Sequence, residues 1–217
     1  TKVWDGGKTP RDPVTINLLA DGDIVGSFVM NDGVTTHTFT GLPVKKGNGT
    51  AIVYTISENP VTGYITTYNQ STFTVTNKFD VGKKNIPVTK VWVGGPSPKP
   101  AVTINLLADG VKVDAPLLPS GTLTYTFTNK PIYKSNGDLI VYTISEDTVA
   151  GYSPTYDQTT LTVTNNYDVG KKDIPVTKVW LGGPSPRPSV TINLLADGVE
   201  VKEFEMVNGV TTHTFTN

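Results

Sequence analysis

Apolar and polar residues alternate in short runs along the chain. Over 14–18, Val14, Ile16 and Leu18 alternate with Thr15 and Asn17, the period of two that places successive side chains on opposite faces of a β-strand. Asp21-Gly22 follows as a hairpin-turn pair and leads into a second run over 24–30. Further runs cover 34–40, 52–58, 63–68 and 72–79. With the opening Thr-Lys-Val-Trp they predict about seven strands, a count that suits a two-sheet sandwich. No window carries a convincing helical period, and the abundant Thr and Val favour strands over helices. The expected fold class is all-β.

The pattern recurs at a fixed interval. Thr-Lys-Val-Trp begins at Thr1, Thr89 and Thr177, so that 89 − 1 and 177 − 89 both equal 88. Ile-Asn-Leu-Leu-Ala-Asp-Gly (Ile16, Ile104, Ile192), Tyr-Thr-Ile-Ser-Glu (Tyr54, Tyr142) and Thr-Val-Thr-Asn (Thr74, Thr162) keep the same offset. A unit of that length is too long for a solenoid repeat and suits an autonomous small domain. The expected organisation is a first repeat over 1–80, a linker over 81–85, a second repeat over 86–168, a linker over 169–173 and an incomplete third repeat over 174–217. Connectors so short imply close-set domains with limited freedom.

Composition narrows the function. Eighteen Lys and Arg against 19 Asp and Glu leave a net charge of −1, with no basic excess for nucleic acid or an anionic membrane. Cys is absent and there are two His, which leaves no disulfide framework and little material for a metal centre or a general base. No apolar run is long enough to span a bilayer, and the first residues lack a signal-peptide layout. The expectation is a soluble piece of a longer protein, with no cofactor, no nucleic-acid partner and no membrane insertion.

Parity places polar residues where the core should be. Ile86, Val88, Lys90 and Trp92 share one face, as do Ile140, Tyr142, Ile144 and Glu146, while Leu161 and Val163 continue to Asn165. The first repeat has Lys2 beside Trp4, Glu58 after Tyr54 and Ile56, and Asn77 after Phe73 and Val75. An unpaired buried charge costs several kcal/mol, so such groups must pair, neutralise or react. One reading is that these residues emerge at strand ends and form an ordinary ion pair. The other brings Lys, Glu and Asn together in an apolar site. There, burial favours the neutral, nucleophilic amine, and a protonated Glu can polarise the Asn carboxamide while the amine attacks its Cγ.

The same residues resemble a known family. Lys before Val-Trp, the Leu-Leu-Ala-Asp-Gly strand and turn, Tyr-Thr-Ile-Ser-Glu followed by Gly-Tyr (Gly63-Tyr64, Gly151-Tyr152) and the closing Asn77-Lys78-Phe79 and Asn165-Asn166-Tyr167 are similar to the collagen-adhesin B-type repeats of Gram-positive surface proteins and pili. The resemblance covers essentially the whole chain. It implies tandem inverse immunoglobulin-like (prealbumin-like) β-sandwiches, each closed by a self-formed Lys–Asn isopeptide bond promoted by Glu. Carried over residue by residue, the trios are Lys2, Glu58 and Asn77, then Lys90, Glu146 and Asn165; Lys178 stands alone, because the third repeat stops before any Glu or Asn counterpart.

The implied role is an extracellular stalk on a bacterial surface rather than an enzyme, since the reaction consumes its own residues once. Its partners would be neighbouring repeats of the same parent chain, with strand complementation of the third repeat by another chain, and no host ligand is assigned. The rival reading is a ligand-binding adhesin domain or a carbohydrate-binding accessory module. Other features carry less. His37 and His213 have Tyr125 at the matching position of the second repeat, so a strand side chain beside Phe39 is expected rather than a ligand. Asp21, Asp109 and Asp197 precede Gly at turns, without the further carboxylates of a calcium loop. Trp4, Trp92 and Trp180 are expected to pack rather than form a sugar platform, and Ile86-Pro87-Val88-Thr89-Lys90 to be linker and first strand rather than a sorting signal.

Overall fold

The computed structural model describes residues 1–216. The first repeat contains β1 (Lys2–Asp5), β2 (Val14–Ala20), β3 (Asp23–Met30), β4 (Tyr54–Glu58), β5 (Tyr64–Asn69) and β6 (Thr74–Phe79). Two sheets form, in the orders β1-β6-β5 and β3-β2-β4. The hairpin between β2 and β3 turns at Asp21 and Gly22, both with positive φ (51° and 101°), the geometry that selects an Asp-Gly pair. Val14, Ile16, Leu18, Met30, Ile56 and Val75 make the core between the sheets.

In the second repeat β7 (Lys83–Val93), β8 (Val102–Ala108), β9 (Val111–Asp114), β10 (Leu117–Leu118), β11 (Thr124–Pro131), β12 (Tyr142–Glu146), β13 (Tyr152–Asp157) and β14 (Thr162–Tyr167) follow the same plan. The sheets are β11-β7-β14-β13 and β10-β8-β12, with β9 also on β8. Counting β9 and β10 as two halves of one bent edge gives the seven strands that the pattern predicts.

The first repeat departs from that prediction at 34–40, which forms no strand. Its counterpart β11 pairs with the front of β7, Tyr125 opposite Val88 and Phe127 opposite Ile86. In the first repeat Lys2 N–H reaches the segment, donating to Thr35 O at 2.7 Å. His37 therefore packs outside any ladder, stacked on Phe28 at 3.7 Å and edge-on to Phe39. Where the second repeat buries Ile86 and Val88, the first has a cavity of about 270 Å³ lined by Ile16, Leu18, His37, Phe39, Ile56 and Val75 among others.

The stretch between the first two repeats is not loose. β7 begins at Lys83, inside the segment read as linker, and Lys83 and Lys84 pair with Pro131 and Lys130. Ahead of them, Val81 O accepts from Ile132 and Tyr133 N–H. Gly7 N–H donates to Ser135 O at 2.7 Å, and Phe79 meets Tyr133 edge-on. Gly6 lies so close to the second repeat that a Cβ there would sit 2.4 Å from Ser135 O.

Thr1–Asn166 and Tyr167–Asn217 are separate compact units. The second unit contains β15 (Ile174–Thr177), β16 (Val190–Ala196), β17 (Val199–Met206) and β18 (Thr212–Phe215), paired β15 with β18 and β16 with β17. Val190, Ile192 and Leu194 are half-buried, although the same residue types at 14, 16 and 18 and at 102, 104 and 106 are buried.

Candidate functional site

The first and last strands of each complete repeat run parallel and side by side. Lys2 stands opposite Val75 and Trp4 opposite Asn77; Lys90 stands opposite Val163 and Trp92 opposite Asn165. Alternation then puts Lys and Asn on the same face, one diagonal step apart, within reach of a long side chain. Glu58 and Glu146 come from the other sheet, opposite Ile16 and Ile104. Each trio therefore spans the sandwich, with its Lys and Asn on one sheet and its Glu on the other.

These groups are deeply enclosed. Lys2 and Lys90 are 2% exposed and Asn77 and Asn165 fully buried, while the Glu146 side chain is 1% exposed. Lys2 Nζ lies 3.0 Å from Glu58 Oε1, an ion-pair contact without hydrogen-bond alignment. Lys90 Nζ is 3.5 Å from Glu146 Oε1 and donates to Val91 O at 3.1 Å. Each amine sits 4.2 Å from the ring centre of the Trp two residues on. A second cation lies against each ring, Arg11 at 4.9 Å from Trp4 and Lys99 at 5.9 Å from Trp92, and both rings are half-buried and packed against the core.

Burial pushes the Lys2 and Lys90 amines below the usual lysine range, with Glu58 and Glu146 pulling the other way. It pushes the Glu146 carboxyl up, opposed by the Asn165 carboxamide, which lies close to it without meeting hydrogen-bond geometry, and by Lys90, and reinforced by the nearby Asp147. Neither the nitrogen nor the oxygen of the Asn77 and Asn165 carboxamides has a hydrogen-bond partner, a rare condition for fully buried polar atoms.

The backbone N–H groups of Glu58 and Glu146 donate to the Tyr68 and Tyr156 hydroxyls. Lys178 follows β15, is half-buried, and has its amine 4.7 Å from the Trp180 ring centre. Among the described residues no three His, Asp or Glu side chains converge to hold a metal. Alternation did not reveal two further buried residues, Asn17 and Asn105. They sit on the opposite face of β2 and β8, where Asn17 bonds Ser57, Asn59 and Ser27 and Asn105 bonds Ser145 and Asp147. The signal was available in those small polar residues opposite them.

Fold and buried trio together define a tandem β-sandwich repeat protein. The chain belongs to the Cna protein B-type domain family, whose model matches residues 1–78 and 86–166. It is 34% identical over 229 residues to a collagen adhesin of Staphylococcus aureus, covering 95% of this chain and 19% of that protein's length. It also resembles the crystal structure of two B repeat units (B1B2) of the collagen-binding protein Cna of Staphylococcus aureus. There the TM-score is 0.61 and the identity 30%, over 100% of this chain and 62% of that one. The sandwiches are thus of the inverse immunoglobulin-like type expected from the sequence.

Proposed function

We propose that each complete repeat locks itself with an isopeptide bond, Lys2 to Asn77 and Lys90 to Asn165, and that the chain is a stalk of a bacterial surface adhesin. The observation that carries this reading is the Asn carboxamide, fully buried and without hydrogen-bond partners, on the same strand pair as a buried Lys. Exposed side-chain chemistry would not need such an arrangement, and a purely structural Asn would be satisfied.

The reaction balances within the trio. A proton passes from the Lys amine to the carboxylate, which burial favours because a neutral pair is less costly there than two charges. The neutral amine attacks Cγ of Asn while the protonated Glu donates to the carboxamide. The new C–N bond forms, the old one breaks, and the Asn nitrogen leaves as ammonium, carrying both protons shed by the Lys ammonium, one of them by way of Glu. Glu is returned unchanged. Nothing turns over, since the Lys and Asn are spent.

On the same reading the chain divides into repeats over 1–80 and 86–168 that close on themselves and a third from 174, where Lys178 takes the matching place and strands of another chain could complement it. A surface location on a Gram-positive cell is supported by the resemblance to the staphylococcal adhesin. Intact mass tests the chemistry. The chain should weigh less than its sequence by two ammonias, and Glu58→Ala or Glu146→Ala should restore one each. A mass equal to that of the sequence overturns the proposal.

A further inference from the structure

We propose that Thr66 and Asn59 in the first repeat, replaced by Pro154 and Asp147 in the second, set the two cross-linking centres apart, so that the second closes faster and at higher pH. This rests on the cross-linking reading above. The offset of 88 makes each repeat a control for the other: Lys, Glu, Asn, the flanking Trp and the Tyr beside Glu are identical in both. Thr66 and Asn59 are among the few neighbours of the carboxyl that differ.

Thr66 lies on β5 directly opposite Asn77, and its hydroxyl donates to Glu58 Oε2 at 3.4 Å. Pro154, the matching residue on β13, has no hydroxyl. Accordingly only Oε1 of Glu58 lacks a hydrogen-bond partner, whereas both Glu146 oxygens are buried without one. The lysines respond in kind. Lys2 stands 3.0 Å from its carboxyl, while Lys90 stands 3.5 Å away and turns to Val91 O instead.

The second difference acts in the same direction. Asn59 Oδ1 accepts from Asn17, and Asp147 Oδ1 from Asn105; the first acceptor is neutral and the second a carboxylate whose charge raises the Glu146 carboxyl. Around Glu58 the ionisable or charged neighbours are Lys2, Tyr68 and, beyond Lys2, Arg11. Around Glu146 they are Lys90, Tyr156 and Asp147.

A donor to the carboxylate favours the ion pair, in which the amine is protonated and cannot attack. A second negative charge and a missing donor favour the neutral pair, from which the amine can. A carboxyl held above its usual range also stays protonated to higher pH, which fixes the direction of the expected pH profile. Thr66 is a positioning residue in this scheme, since it acts through Glu58.

The test uses the full chain, assembled by chemical synthesis and ligation in guanidinium so that Lys and Asn cannot meet, then diluted into buffers from acid to neutral pH. Samples are acid-quenched and proteolysed, and ammonia loss is followed separately in each repeat by mass. At neutral pH the second repeat should close about threefold to tenfold faster, the scale of one ordinary hydrogen bond. Its rate should also persist to higher pH.

Thr66→Val should speed the first repeat and shift its profile upward, with Thr66→Ser leaving both as they were. Pro154→Thr and Asp147→Asn should slow the second, circular dichroism confirming that each variant folds. If both repeats lose ammonia with coincident rates and profiles and Thr66→Val changes neither, the inference fails and the cross-link stands. If neither repeat loses ammonia, the cross-link itself fails.

Discussion

Glu146→Gln keeps the volume of the side chain, and leaves Lys90 and Asn165 in place, but removes the group that carries protons between them. The second repeat should then stay open. The lost bond would have closed a span of 165 − 90 = 75 residues, and restricting the unfolded chain over that span is worth about 4.5 kcal/mol in the chain-entropy model. For a domain of this size each kcal/mol moves the melting temperature by several degrees, so the transition of the second repeat should fall by about 20–35 °C.

Asn165→Ala separates two contributions to that fall. It also prevents the bond yet leaves Lys90 beside Glu146, whereas Glu146→Gln leaves a buried amine without its carboxyl. Glu146→Gln should therefore be the less stable of the two. Calorimetry gives the transitions and intact mass the bond. A variant that regains one ammonia in mass but melts with the parent would refute the entropic account. One whose mass does not change would refute the role of Glu146.

Stretched from its ends in a single-molecule experiment, the parent chain should show no unfolding extension from either complete repeat, whereas Lys90→Ala should release the second at full contour length; ordinary unfolding steps in the parent would contradict the tie. Asn105 Oδ1 is buried without a donor, while Asn17 Oδ1 accepts from Ser27 at 2.8 Å; Ser27 is matched by Ala115. Ala115→Ser should accordingly stabilise the second repeat by about 1 kcal/mol in denaturant titration, and a neutral or negative change would show that β9 and β10 hold the hydroxyl out of reach. Adding Asn-Ile-Pro-Val ahead of Thr1 should extend β1, pair with 36–39 and fill the cavity beside His37. Burying the Ile and Val would add about 3–6 kcal/mol to the first repeat, and no gain in denaturant stability would mean that the cavity has collapsed or is otherwise filled.

Much of this was legible from alternation and the offset of 88. Parity alone put Lys2, Glu58 and Asn77 on core faces, because a period of two is insensitive to where a strand is paired. Pairing is what it misses. The run over 34–40 alternates as well as 122–128 does, yet only the second meets a partner strand. Asn17 and Asn105 escaped because parity puts them on the outer face with Thr15 and Thr103, and their burial comes from polar neighbours on adjoining strands rather than from the apolar core. The linker read at 81–85 is polar and Gly-containing, as free connectors are; its hydrogen bonds to residues 130–133 depend on a distant hairpin that local composition does not report.

That hydrogen-bonded junction bears on how such chains change length in evolution. Each repeat carries both halves of a joint: a Gly-Gly loop and closing aromatic on one side, a hairpin on the other. Unequal recombination between copies in register, wherever the crossover falls, thus regenerates a whole joint and preserves the spacing. The halves are not interchangeable, however. Tyr133 and Ser135, which meet Phe79 and Gly7, are Lys45 and Gly47 in the first repeat. A copy of that repeat moved one place along would present a charged, glycine-rich hairpin to the loop before it. The order of the repeats, and not only their number, is therefore open to selection.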